Sequence, residues 1–155
     1  MTEFKIVVEI LAPPATVFAV LCDVERWPNW TPTMTTVRRL DEGTFKVGSR
    51  AQIEQPKLRP SIWTVSHIEP DRSFTWDTKS PGVRMVAGHL IEPIASGSKV
   101  TLSITISGLL RGLVARLYGN LIDEYVSTEA KSLLAHCEAL AAGQKTLPTY
   151  AAAAP

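Results

Sequence analysis

The chain has little cysteine, little histidine and almost no net charge, and each shortage removes a class of function. Only Cys22 and Cys137 occur among its 155 residues. Both sit alone in apolar helical contexts, which reads as two buried reduced thiols rather than a disulfide. His67, His89 and His136 share no ligand spacing with one another or with the cysteines, so no metal site is expected. A formal net charge of +1 offers no basic excess to draw phosphates, and nucleic acid is not an expected partner. No stretch approaches the roughly 18 consecutive apolar residues that span a bilayer. The opening MTEFKIVVEIL lacks the basic region, long apolar core and cleavage site of a signal peptide, so the expected compartment is the cytoplasm. There is no P-loop, dinucleotide fingerprint, carboxylate pair or recognisable Ser/His/Asp set, and no cofactor is implied.

What remains is an ordinary globular composition, 45% hydrophobic and 20% charged, at a length that suits one domain. Lys5 to Leu11 is a β-branched run best read as a strand. Pro13 and Pro14 then open a short helix, where a missing N–H costs nothing. It runs to about Cys22 and buries Val17, Phe18 and Leu21. A tight turn follows with Trp27, Pro28, Trp30 and Pro32, and Trp27-Pro28 stops any α-helical continuation. From about Met34 to Ser107 the period is two, broken by turn signals such as Asp41-Glu42-Gly43, Glu69-Pro70-Asp71, Ser80-Pro81-Gly82 and Ala95-Ser96-Gly97. The region divides into about six strands of an antiparallel meander.

After Gly108 the period becomes helical from Leu109 to about Ala142, with Gly143 as a stop and residues 144–155 as a flexible tail. The apolar stripe of this long helix rotates. Leu110, Val114, Leu117 and Leu121 form its first half; Val126, Ala130, Leu133, Cys137 and Leu140 form its second. Either the helix bends near Gly119-Asn120, or its first half contacts something other than the main core, as a lid over a pocket would.

This order of elements resembles the START-like, or helix-grip, superfamily, in particular its polyketide cyclase/dehydrase and lipid-transport branch (SRPBCC). The resemblance is carried by the helix from Pro13 with Val17-Phe18, by Asp23-Val24-Glu25-Arg26-Trp27-Pro28-Asn29-Trp30, and by Val47-Gly48-Ser49. Trp63-Thr64-Val65, the turn Gly97-Ser98-Lys99-Val100-Thr101 and Gly108 before the last helix complete it, over about residues 3 to 142. It implies an α+β fold in one domain, residues 1–143. A curved antiparallel sheet of about seven strands would wrap a long C-terminal helix, with two short helices after the first strand. It also implies a cavity between sheet and helix that takes apolar molecules.

Alternation then assigns the faces. If Val100, Leu102, Ile104 and Ile106 point inward, so do Met85, Ala87, His89 and Ile91 on the preceding strand, and Phe74, Trp76 and Thr78 before that. Trp63 and Val65 face in as well, unless a bulge reverses them. Leu117, Leu121 and Tyr125 of the long helix and Trp30 at the cavity mouth complete the expected ligand-binding wall. Trp27 is read as structural packing.

His89 is the one titratable group on that wall. It is a candidate general base or ligand-orienting donor, with a satisfied structural histidine as the alternative. Tyr118, and Tyr125 beside it, could supply a phenol. Glu54 and Glu129 would enter only if their faces turn inward. Arg111 and Arg116 among leucines resemble a membrane-touching segment, though two arginines are too few for stable anchoring. The expected function is binding of a small or medium hydrophobic ligand of lipid, polyketide or aromatic type. The rivals are a cyclase/dehydrase-like enzyme using His89 and a tyrosine, and a protein-interaction or chaperone-assisting module.

Overall fold

A computed structural model describes the backbone of residues 2–153 and the side chains of residues 2–143. Strand β1 (Thr2–Ile10) leads into helix α1 (Pro14–Cys22) and a 3-10 turn (Val24–Asn29). Six further strands follow: β2 (Thr36–Arg39), β3 (Arg50–Glu54), β4 (Ser61–Glu69), β5 (Ser73–Ser80), β6 (Val83–Ile94) and β7 (Gly97–Ser107). Helix α2 (Arg111–Ala153) closes the chain. The strands form one antiparallel sheet in the order β1-β7-β6-β5-β4-β3-β2. This is the helix-grip architecture, a seven-stranded sheet against a long C-terminal helix.

Period-two patterning decides which side of the sheet is covered. On β1, Phe4, Ile6, Val8 and Ile10 lie on the protected face, paired with Ile104, Leu102, Val100 and Ser98 of β7. On β6, His89 stands opposite Phe74 of β5 and Leu102 of β7, and Ala87 opposite Trp76 and Ile104. The β4–β5 register shifts between Val65 and His67. That bulge lies past Trp63 and Val65, so both keep the inward orientation that alternation assigns and are buried.

The two tryptophans of the turn part company. Trp27 is 1% exposed, and its indole N–H donates to the Leu21 carbonyl at 3.0 Å. That carbonyl belongs to the last turn of α1, where backbone acceptors lack helical partners. The bond therefore ends the helix and fixes the indole in the core together. Trp30 instead stacks on His136 of α2, with ring centroids 6.2 Å apart.

Helix α2 is continuous past Gly119-Asn120 and past Gly143. The pair Gly119-Asn120 therefore does not divide α2 into two helices and the expected stop at Gly143 is corrected, while the expected tail, residues 144–155, lies outside the residues whose side chains are described. The core-facing stripe is Ile122, Val126, Ala130, Leu133, Cys137 and Ala141. Leu140, expected on it, is exposed. The second half is also tied by the Glu138 carboxylate, which accepts from the Leu11 amide at 2.9 Å. The first half turns much of its apolar surface to solvent. Leu110, Leu113, Leu117 and Tyr118 are exposed, and Gly119 passes over the Phe4 ring.

The β6–β7 turn is locked under the β1–α1 connection. Ser98, fully buried, donates to the Ala12 carbonyl at 2.7 Å. Gly97 has φ of +150°, and a Cβ there would run into the Ile10 carbonyl and stand 2.8 Å from the Ala12 nitrogen. Both obstacles are backbone, so no rotamer change relieves them. Gly97→Ala should destabilise the fold by about 3 kcal/mol or more, seen as a lower urea midpoint; an unchanged midpoint would show that this connection is loose.

Candidate functional site

Sheet and helix do not close completely over the middle of the concave face. A cavity of about 70 Å³ remains there, walled by Trp63, Trp76, Met85, Ala87, His89, Leu102 and Ile104 from the strands and by Trp27 from the turn. Ile122, Tyr125, Val126 and Glu129 of α2 form the opposite wall, and Gln55 and Leu58 reach in from the β3–β4 connection. The aromatic side is interlocked. Trp76 lies 5.4 Å from Trp27 and 5.9 Å from Trp63 between ring centroids, at tilted angles. Rings in such arrangements resist collapse into the space beside them, because flattening one would displace the others.

Two polar groups meet in this setting. The His89 ring stacks on Phe74 at 4.1 Å and 11°, and stands T-shaped to Trp27 with ring centroids 5.6 Å apart. Its Nδ1 lies 3.0 Å from the Phe74 carbonyl oxygen. A carbonyl only accepts, so Nδ1 carries the proton and Nε2 keeps a lone pair. That lone pair is 3.8 Å from Oε1 of Glu129, whose side chain is 14% exposed. Burial lowers the His89 pKa to about 4, against the opposing effect of the Phe74 hydrogen bond. Burial also raises the Glu129 carboxyl to about 8. At neutral pH the pair is therefore an uncharged imidazole facing an uncharged carboxylic acid, although its distance alone would fit an ion pair. No lysine or arginine lines the cavity among the described residues.

The chain matches the family described as polyketide cyclase / dehydrase and lipid transport over residues 1–142. It belongs to that family. No match is found among curated proteins. Among solved structures, a Thermus thermophilus protein aligns at TM-score 0.70 and 18% identity, over 90% of this chain and 99% of its own. A Streptomyces aromatase/cyclase aligns at TM-score 0.72 and 16% identity, over 88% and 93%. The di-domain ARO/CYC protein StfQ of the steffimycin biosynthetic pathway aligns at 0.74 and 8%, over 90% of this chain and 51% of StfQ. At such identities the likeness is one of fold.

Within this polyketide cyclase/dehydrase frame the structure brings His89, Trp63, Trp76, Met85, Ala87, Leu102, Ile104 and Tyr125 to one cavity. Phe74 and Ile91 face the same way but are packed into the core, and Phe74 acts on the cavity through His89. Trp30 lies elsewhere, in an open groove between α1 and the second half of α2 with His136 and Leu140. Leu117 and Tyr118 are exposed, and Leu121 does not line the cavity, because the helix presents the Ile122–Val126 face there. Tyr125 does line it, but its hydroxyl donates to the Pro56 carbonyl and clasps the β3–β4 connection to α2. Trp27 and Glu129 are the cavity-lining residues that patterning undervalued. Glu129 stands three residues after Val126 and four before Leu133, a spacing that places it on the buried side of the helix.

The buried carboxyl makes stability depend on pH in a defined direction. Its pKa rises from 4.5 to about 8 on folding, so the folded state holds a proton that the unfolded state releases. Stability from this group is full below pH 4.5 and is lost as pH rises through about 8. Glu129→Gln keeps the shape without the ionisation. The variant should gain several degrees in Tm over the wild type at pH 8 and less at pH 5, measured by calorimetry; parallel curves would show that Glu129 is ionised in the native state.

Proposed function

We propose that the protein binds a small hydrophobic molecule in the cavity between the sheet and α2. The observation that carries this reading is a wall of three tryptophans and aliphatic side chains in which His89 and Glu129 face each other across 3.8 Å, with Gln55 and Tyr125 as further polar lining. Apolar enclosure with a few convergent polar groups is the make-up of a small-molecule site. The family the chain belongs to supports the same reading, since its description names lipid transport beside polyketide chemistry.

The cavity holds about 70 Å³, less than the void of about 150 Å³ that takes up benzene in an engineered core. A ligand of one ring or more therefore enters with some opening of the walls. The first half of α2 is the part able to yield, because its leucines face outward while the second half is pinned through Leu133, Cys137 and Glu138. Opening there would break the Tyr125–Pro56 clasp and leave the core under α1 intact.

One observation favours a second reading, an enzyme of the cyclase, dehydrase or isomerase type. The free lone pair on His89 Nε2 faces a carboxylic acid in a largely apolar site. Such a pair can take a proton from a carbon next to a carbonyl and return one to oxygen. Tyr118, exposed on the outer side of α2, would take part only if the helix turned, and Tyr125 is the nearer phenol.

Filling the space separates a working cavity from an incidental one. Ala87→Leu puts three more carbons against Trp76 and Ile104. It should weaken displacement of a small neutral apolar dye about tenfold or more while the protein remains folded by circular dichroism. Dye affinity unchanged in this variant, or no apolar compound in solvent extracts of the purified protein and no dye binding, would overturn the reading.

A further inference from the structure

The gap between His89 and Glu129 has a chemical meaning of its own. At 3.8 Å the two atoms are too far apart to share a hydrogen bond, yet one oxygen can sit about 2.8 Å from both. The two sides are complementary. The hydrogen bond from Nδ1 to the Phe74 carbonyl leaves Nε2 as an acceptor only. A carboxylic acid opposite it is a donor. The group that satisfies both is one that donates and accepts through a single oxygen, which is a water molecule or, on an apolar ligand that displaces it, a hydroxyl.

We infer that the cavity selects uncharged apolar ligands bearing one hydroxyl, seated between His89 Nε2 and Glu129 Oε1, and rejects carboxylates of the same size. This rests on the proposed ligand-binding reading and adds the ligand's chemistry to it. Rejection follows from the lining. The titratable groups that face the site from the strands and from α2 are His89, Glu129 and Tyr125, and the lining offers no cation to a buried anion. A fatty-acid headgroup would meet a second carboxyl instead. Once Glu129 ionises, above about pH 8, the hydroxyl turns to donate to the carboxylate and His89 Nε2 loses its partner.

Three one-ring probes test this: benzyl alcohol, toluene and benzoate, titrated while the indole N–H signals of Trp27, Trp63 and Trp76 are followed by NMR. At pH 6.5 the alcohol should bind about tenfold more tightly than toluene, with benzoate weakest. At pH 9 the alcohol should still bind more tightly than toluene in the wild type, since it then donates to the carboxylate. Glu129→Gln, whose amide still donates, should keep the preference at both pH values. Glu129→Leu should bind toluene at least as well as the wild type and show no preference for the alcohol. Benzoate binding as tightly as the alcohol, or an alcohol preference surviving in Glu129→Leu, would overturn the inference and leave the cavity reading in place. If none of the three probes moves the indole signals, the cavity reading fails and the inference with it.

Discussion

A carboxyl on the helix that covers the sheet has to be accommodated without a cation, and much of the site is arranged around that constraint. Glu129 lies on the core side of α2, between Val126 and Leu133. Burying it charged and alone would cost several kcal/mol. Holding it neutral costs far less, and the surroundings favour that outcome with a largely apolar cavity lining and the unprotonated nitrogen of His89 facing it. His89 is in turn fixed by its stack on Phe74 and its bond to the Phe74 carbonyl. A rigid ring cannot swing to close the last gap, so the pair stays open to a third group.

Trp27 connects this pair to the rest of the fold. Its indole N–H ends α1, and its ring packs against Trp76 and His89 and lines the cavity. One side chain thus joins helix termination, core packing and the shape of the site. The same economy explains the asymmetry of α2. Its second half is pinned to α1 and to the β1–α1 connection, whereas its first half rides over the sheet with leucines turned outward.

The strand part of this arrangement was legible in the sequence because period two leaves little freedom. Once Val100, Leu102, Ile104 and Ile106 are placed inward, the antiparallel registers carry His89, Ala87 and Trp76 with them. The turn was not legible in the same way. Trp27 and Trp30 lie on a 3-10 segment and its cap, and its winding, which leucine spacing cannot reveal, decides which indole enters the core. Trp27 took the cavity place assigned to Trp30. On α2 the expected stripe through Leu117 and Leu121 failed because apolar residues there do not meet the core wall, while Glu129 hid on the buried side behind its charge. Apolar pattern marks burial well only where a core is present to bury against.

The central claim is that Glu129 is held neutral inside the cavity, and the carboxyl carbon of Glu129 reports that state directly. Its ¹³C chemical shift, followed from pH 3 to pH 10 in uniformly labelled protein, should stay at the protonated value through neutrality and move with a midpoint near 8. A midpoint near the ordinary 4.5 would contradict the account, since the pair with His89 would then be charged and the cavity built for a different kind of guest.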